Sequence, residues 1–160
     1  MRNRKVAQGA GSRREVNDPI RLQLQIEPQP PTVTHQEKKF GGVSKKGTPI
    51  FYPTPELANA RALLTSKLKK FAPAEPWTCP IQLTVMWMFR RPKSRKGTFM
   101  TNRPDTDNLQ KMLKDVMTDC GYWKDDALVV RENVEKIWLP AEEKHGILIS
   151  VIDLTNENKE

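Results

Sequence analysis

Three carboxylates and one amine stand out in this sequence as residues that could do chemistry together: Asp105, Asp107, Asp126 and Lys111. Two like charges about 4 Å apart repel by roughly 4 kcal/mol at an effective dielectric constant of about 20, so a dry carboxylate cluster needs protons or a cation. Carboxylate oxygens suit Mg²⁺ or Mn²⁺, and Mg²⁺ keeps waters that can act as nucleophiles. The first hypothesis is therefore a divalent-metal site with a positive charge beside it.

A helix must position most of these residues. Pro104 should stop a helix from running in from upstream, and helix-capping residue types follow it, so we expect a helix to start between Asp105 and Asn108. It should end near Asp119, with Gly121 as its terminator. One face is apolar and the opposite face is charged. The apolar positions are Leu109, Met112, Leu113, Val116 and Met117, and the charged ones are Asp107, Lys111 and Asp115.

A strand is predicted to begin directly after Asp125 and Asp126. If that strand lies beside the helix, Asp126 can approach Asp105 and Asp107 and complete the metal site. Asp115 and Asp125 would then lie behind the three ligands and support them.

A less specific interpretation of the same charges stays open. Acidic residues in a first helical turn favour the helix dipole, and Lys111 could simply pair with Asp107 and Asp115 one turn away. A calcium EF-hand is excluded, because Gln110 occupies its glycine position and Val116 its glutamate position.

The combined spacing is more specific than any one pair of aspartates. Pro-Asp-x-Asp-Asn-Leu-x-Lys-x-x-x-Asp-Val, followed by Gly-aromatic-Trp-x-Asp-Asp, resembles the RusA family of Holliday-junction resolvases over about Arg103 to Val130. The resemblance implies metal binding by carboxylates, a catalytic lysine and a twofold dimer. By this resemblance, the metal-binding carboxylates are Asp105, Asp107 and Asp126, and the catalytic lysine is Lys111. Asp125 matches the first aspartate of the family's acidic pair, and Lys136 matches a lysine that recurs in the family.

The charge of the chain predicts a polyanionic partner. The 160 residues carry a formal charge of +8, and because the central motif is acidic the positive charge must lie elsewhere. Five cations in seven residues form our preferred phosphate-contacting loop, with a further phosphate contact at Lys136. Phe99 and Met100 follow this loop and could pack in the core or stack on unpaired bases. The cations of the loop are Arg90, Arg91, Lys93, Arg95 and Lys96.

The pattern of apolar residues predicts a single compact α+β (α/β) domain. Its mixed four-stranded sheet and two main helices should follow the order β-α-β-α-β-β. We expect residues 1–18 to be a disordered basic tail, 19–154 the nuclease domain and 155–160 a frayed end. Residues 28–54 are expected to be a long loop, either functional or flexible. The predicted strands are Ile20–Glu27, Ile81–Phe89, Ala127–Leu139 and Gly146–Leu154; the first helix starts at Pro55 with apolar positions Leu57, Ala60, Leu64, Leu68 and Phe71.

The remaining special residues carry weaker signals. Cys79 and Cys120 lack zinc spacing and are expected to be reduced thiols. His35 and His145 lie in polar stretches and are expected to be solvated. No stretch approaches a membrane span, and the basic start lacks the apolar segment of a secretory signal, so we expect a cytoplasmic protein that acts on DNA. Candidate dimer contacts are Trp77, Trp87, Trp123 and Trp138, although aromatic residues are enriched in cores as well as in interfaces.

The functional hypothesis from the sequence is metal-dependent hydrolysis of phosphodiesters. The enzyme would resolve four-way DNA junctions by paired symmetric nicks in recombination and repair, as a homodimer matched to the twofold junction. Two alternatives remain: a flap or single-strand nuclease with the same chemistry, and a non-catalytic DNA-binding module.

Overall fold

The computed structural model describes residues 16–33 and 38–157. Residues 1–15, 34–37 and 158–160 lie outside these ranges, and with them most of the predicted N-terminal tail and His35. Eight helices and strands are found in the described ranges, together with two single 3₁₀ turns at Lys69–Phe71 and Asp126–Leu128. In chain order they are β1 Ile20–Gln25, β2 Lys38–Val43, β3 Pro49–Pro53, α1 Pro55–Leu68, β4 Ile81–Arg90, α2 Thr106–Cys120, β5 Val129–Leu139 and β6 Gly146–Asp153.

Four strands form one mixed sheet in the order β1-β6-β4-β5. Strand β4 is parallel to β5 and antiparallel to β6, and β6 is antiparallel to β1. The predicted α+β class and the central place of β4 are therefore confirmed. The ten-residue β4 is flanked by strands on both sides, as expected of a strand with two fairly apolar faces.

The topology makes both helices start at the same side of the sheet. Strands β1, β4 and β5 run in one direction, and α1 and α2 are the crossovers between them, so each helix runs back against the strands. Side-chain contacts agree: Arg61 of α1 reaches Asp119 of α2, and Leu68 at the end of α1 accepts a hydrogen bond from Tyr122 beyond the end of α2. We call the side where β1, β4 and β5 end the carboxyl edge.

The core lies between the helices and one face of the sheet. The predicted apolar face of α2 is buried throughout, against Leu83, Val85 and Trp87 of β4. Gln110 of α2 is also buried, and it accepts a hydrogen bond at 3.0 Å from the Trp87 indole. Of the two alternatives for the tryptophans, core or dimer contact, the structure shows the core, because all four are packed inside the chain. Trp77 is 5% exposed, Trp87 0%, Trp123 1% and Trp138 7%.

Helix α1 begins as its sequence predicts. Thr54 caps it by accepting a hydrogen bond from the Leu57 amide, and Pro55 is the first helical residue. The prediction that Phe71 continues the apolar face is wrong, because the α-helix ends at Leu68 and a 3₁₀ turn follows. Phe71 is consequently 43% exposed, with the Lys70 ammonium over its ring.

The segment predicted as one long loop contains a two-stranded antiparallel ribbon, β2 and β3. Lysines, glycines and prolines dominate its sequence, so no alternation of apolar and polar residues marks the strands. The turn is closed by a hydrogen bond from the Ser44 amide to the Thr48 carbonyl, with Gly47 at φ 80°. The predicted order of the four-stranded sheet and main helices holds, with this ribbon added between β1 and α1.

His145 is buried rather than solvated, so that prediction is wrong. Its side chain is 1% exposed, with Nε2 3.0 Å from the Pro140 carbonyl and Nδ1 3.7 Å from the Glu27 carboxylate. The next residue, Gly146, packs so closely on β1 that a Cβ there would overlap the Leu24 carbonyl.

Cys79 and Cys120 form no disulfide and are free thiols. No helix within the described ranges is both long and apolar enough to cross a membrane.

Candidate active site

The start of α2 presents two uncommitted carboxylates. Asp105 occupies the N-cap position, yet its side chain makes no capping hydrogen bond, and only its carbonyl is used, by the Leu109 amide. Asp107 lies in the first turn, and neither carboxylate has a hydrogen-bond or ion-pair partner within the described residues. Both are exposed at the helix end where the dipole favours negative charge. They are therefore free to bind a cation.

Lys136 of β5 holds the segment that leads to these carboxylates. Its ammonium donates hydrogen bonds to the Asn102 carbonyl at 2.8 Å and the Pro104 carbonyl at 2.7 Å. The Met100 amide in turn donates to the Lys136 carbonyl at 3.0 Å. The predicted phosphate contact of Lys136 stays a prediction, but this ammonium already makes two hydrogen bonds inside the protein. Its place in the structure fixes the backbone just before Asp105.

Lys111 lies between two acidic side chains in the second turn of α2. Its Nζ is 2.7 Å from Asp115 Oδ1 and 3.7 Å from Asp126 Oδ2. The hydrogen bond to Asp115 raises the pKa of Lys111, and the charge of Asp126 raises it further, against a smaller lowering by desolvation. The lysine is thus a fixed positive charge at neutral pH.

Asp125 and Asp126 enter this region through the 3₁₀ turn before β5. Asp125 caps the turn by accepting a hydrogen bond from the Ala127 amide at 2.8 Å. Asp126 lies beside Lys111 of α2, with its Oδ2 3.7 Å from the Lys111 Nζ. The supporting roles predicted for Asp115 and Asp125 remain predictions. In the structure Asp115 pairs with Lys111, and Asp125 caps the 3₁₀ turn.

The three predicted ligands differ in their contacts. Asp105 and Asp107 lie at the start of α2, and Asp126 is paired with Lys111. Within residues 16–33 and 38–157, no three His, Cys, Asp or Glu side chains are grouped so that they could hold a metal ion. The oxygen donors themselves match the chemistry of Mg²⁺, which often takes only one or two carboxylates beside waters and substrate phosphates. The three-carboxylate metal site stays a prediction.

Arg61 of α1 is a residue of this region that sequence reasoning missed. Its guanidinium lies 2.9 Å from the Asp119 carboxylate and 3.9 Å from that of Asp115. The contact joins residues more than fifty positions apart, so only the packing of α1 on α2 reveals it. A surface pocket forms here. It is lined by Arg61, Lys111, Asp115, Thr118, Asp119, Lys124, Asp125 and Asp126.

The predicted phosphate-contacting loop follows β4 at the carboxyl edge. None of its five cations forms an ion pair with any residue in the described ranges, and all but Arg91 are exposed. Arg91 ties the loop together through its amide, which donates to the Leu139 carbonyl, and through its side chain, 3.4 Å from the Gly97 carbonyl. Met100 is buried, whereas Phe99 is 71% exposed, so the stacking alternative stays open only for Phe99.

An acidic helix start and an unpaired cationic loop at one edge of an α+β sheet suit an enzyme that cuts a polyanion. Comparison with known proteins defines the class: the family model described as "Endodeoxyribonuclease RusA" matches residues 28–151. The chain belongs to the RusA family of endodeoxyribonucleases. A curated relative, the "Crossover junction endodeoxyribonuclease rusA" of Lactococcus phage r1t, is 30% identical over 139 residues, which cover 84% of this chain and the whole of the relative. The resemblance seen in the motif is confirmed.

Proposed function

We propose that this nuclease is a Mg²⁺-dependent Holliday-junction resolvase that cuts four-way DNA junctions by paired symmetric nicks as a homodimer. The observation that carries the proposal is the pair of uncommitted carboxylates, Asp105 and Asp107, at the start of α2 in a chain of the RusA family. The name of the phage relative supports the crossover junction as substrate. Symmetry supports the dimer, because a twofold junction is matched by two copies of one site.

The divalent ion, Mg²⁺ or Mn²⁺ in its place, would be held by Asp105, Asp107 and Asp126. When bound, it would supply Lewis-acid stabilisation of the phosphate and a nucleophilic water at neutral pH. Lys111 holds a proton and a positive charge next to Asp126, where it can offset charge that develops on the phosphate in the transition state. Asp115 keeps that ammonium in place through a 2.7 Å hydrogen bond.

The predicted phosphate-contacting loop, Arg90 to Lys96, which we call the basic loop, supplies substrate binding in this mechanism. No loop cation has an ion-pair partner in the described residues, so each can neutralise a phosphate without breaking an ion pair first. The loop and the start of α2 lie at the same edge, which lets DNA contact both. The chain thus separates its charges: cations bind the backbone, and the acidic helix start is kept for the metal.

The test is gel analysis of four-way junctions carrying a label on one strand at a time, with and without Mg²⁺. We expect nicks at symmetric positions on two opposing strands, dependent on Mg²⁺ and yielding duplexes that ligase can seal. Heterodimers of wild-type and Asp107→Asn subunits should nick one strand per junction.

Two results would contradict the proposal. Faster cleavage of flaps than of junctions by a monomer in sedimentation would replace it with the general nuclease alternative. Junction binding without cleavage under any divalent ion would leave only the DNA-binding module.

A further inference from the structure

The β2–β3 ribbon exposes large apolar side chains that the fold does not use. No residue from Lys38 to Pro53 is buried, and Phe40 is 63% exposed, Phe51 56%, Tyr52 58% and Val43 59%. A two-stranded hairpin is only marginally stable by itself in water. Because the aromatic side chains of this ribbon are exposed, packing against the domain does not explain them. Contiguous exposed apolar side chains of this kind mark interaction sites.

The strand register gathers three of these side chains, Phe40, Val43 and Phe51, on one face. Phe40 is paired with Phe51 and Val43 with Pro49, so all four share a face of the ribbon. The two phenylalanine rings meet edge to face, with centroids 5.9 Å apart. This face is an aromatic platform, which we define as Phe40, Val43 and Phe51.

The opposite face explains how the platform keeps its shape. Tyr52 lies over Gly41, the extra residue at an irregularity between Phe40 and Gly42, and a Cβ on Gly41 would overlap the tyrosine ring. The absence of a side chain at residue 41 therefore lets Tyr52 close the back of the ribbon.

The charge of the ribbon selects its partner. Lys38, Lys39, Lys45 and Lys46 are exposed, and no acidic residue occurs between Lys38 and Pro55. A second copy of this chain, itself +8, would be repelled by four unpaired lysines. Aromatic rings interspersed with cations are the combination that binds unpaired nucleic-acid bases and their phosphates.

The position of the ribbon is consistent with nucleic acid as its partner. It follows β1 and leads directly into α1, so it emerges at the carboxyl edge, where the basic loop and the start of α2 also lie. Strands of five and six residues extend roughly 16–20 Å at about 3.3 Å per residue. The ribbon is long enough to reach DNA that is docked on that edge.

We propose that the β2–β3 ribbon is a DNA-contacting arm whose aromatic platform stacks on bases left unpaired at a branch point, while its lysines neutralise the flanking phosphates. The inference rests on the proposed function, since branched DNA is its ligand, but it concerns binding and not cleavage. Loss of one or two stacks should weaken binding to branched DNA by about tenfold to a hundredfold and leave binding to intact duplex unchanged.

The experiment compares the full chain with its Phe40→Ala/Phe51→Ala variant, with Ca²⁺ in place of Mg²⁺ so that DNA stays intact. Affinity is measured for a four-way junction and for a linear duplex of the same sequence, with 2-aminopurine at the branch point reporting unstacking. Phe71→Ala is the matched control, because Phe71 is also an exposed phenylalanine but lies outside the ribbon. We expect the double variant to lose junction affinity and the fluorescence change, and the control to lose neither.

Conservative variants keep the test decisive if alanine disturbs the ribbon. Phe40→Leu/Phe51→Leu retains apolar surface but removes the rings, and Phe40→Trp should show quenched emission on junction binding. Equal loss for junction and duplex, or no loss, would overturn the inference. A shift from dimer to monomer in sedimentation would instead make the platform a subunit interface. Cleavage assays distinguish this inference from the proposed function. If the wild type cuts only flaps but the double variant still loses affinity for branched DNA, the DNA-contacting arm is supported and the junction is rejected as the substrate.

Discussion

Lys111 Nζ lies 2.7 Å from Asp115 Oδ1, one turn further along the same helix. The same ammonium lies 3.7 Å from Asp126 Oδ2. The lysine therefore lies between two carboxylates, Asp115 and Asp126, and offsets their charge. The proposed mechanism assigns this positive charge to the reacting phosphate, which makes Lys111 the first residue to test.

Lys111→Ala should slow nicking by about 100-fold while junction binding persists, because the lost charge acts on the transition state more than on bound DNA. Lys124→Ala is the matched control, since Lys124 is an exposed cation lining the same pocket. Single-turnover rates and separate affinities are the measurements. Because the pKa of Lys111 is raised, its charge should stay constant from pH 7 to 9. Equal losses of rate and affinity would make the lysine a binding residue.

Asp105→Asn, Asp107→Asn and Asp126→Asn should each abolish cleavage. A metal contributes several kcal/mol to such a reaction, equivalent to a loss of about a hundredfold or more. Junction affinity should be kept or increased, because removing a negative charge lessens repulsion of phosphate. Asp119→Asn, in the last turn of α2, is the control and should cut normally. Full activity in any of the three would remove that residue from the site.

Replacing Lys93, Arg95 and Lys96 with glutamine should weaken binding to all DNA. Each lost phosphate contact lowers the slope of log affinity against log salt by about 0.9, so the triple variant should lose between two and three units. Titrations between 50 and 300 mM salt measure this. Arg131→Gln is a suitable control, since that guanidinium is already paired with Glu157 at 3.0 Å. An unchanged slope would mean that the loop is only solvated charge.

Lys136→Met should reduce cleavage and raise the Mg²⁺ concentration for half-maximal rate, because the backbone before Asp105 loses two hydrogen bonds. The salt slope of junction binding should not change, which separates a positioning residue from a phosphate contact. Lys136→Arg should restore part of the activity. If the slope falls by about one unit while the Mg²⁺ requirement is unaltered, the phosphate role is the correct one.

Protonation of Asp153 at low pH should lower the free energy of unfolding. Burial alone would raise its pKa, but hydrogen bonds from Asn17 and Thr155 outweigh this and lower the pKa to about 2. A depressed pKa contributes stability that is present above about pH 4 and lost as the pH falls through 2, here about 2 kcal/mol. Urea unfolding at pH 5 and pH 2.5 should show the wild type losing its advantage over Asp153→Asn. Parallel losses in both proteins would contradict this.

The sequence predicts most reliably what depends on neighbouring residues. The bounds of α2 follow from Pro104, its apolar spacing and Gly121, which closes the helix at φ 88°. The motif at residues 105 to 126 identifies the family for the same reason. The cationic loop is equally visible, because its five charges are adjacent in the chain.

What could not be predicted depends on packing between distant segments. The Arg61 contacts arise only when α1 lies on α2, and the burial of His145 requires Pro140 and Glu27 around it. The contact between Asp126 and Lys111 likewise depends on how the turn before β5 folds against α2. The ribbon was missed because its strands are held by backbone pairing and carry no buried face. Asn17, predicted in the disordered tail, is tied to Asp153 at 2.7 Å.

The ribbon buries no side chain, and both of its ends join the domain at one edge. Its side chains are consequently free of the core packing that constrains the sheet and helices, and the tight contact inside it is that of Gly41 with Tyr52. Away from residue 41, substitutions in the ribbon should cost the domain little folding stability. A ribbon from another nuclease of this family could be exchanged for it as a unit, and if the ribbon has the proposed DNA-contacting role, the chimera should change its DNA preference and keep the original catalytic domain.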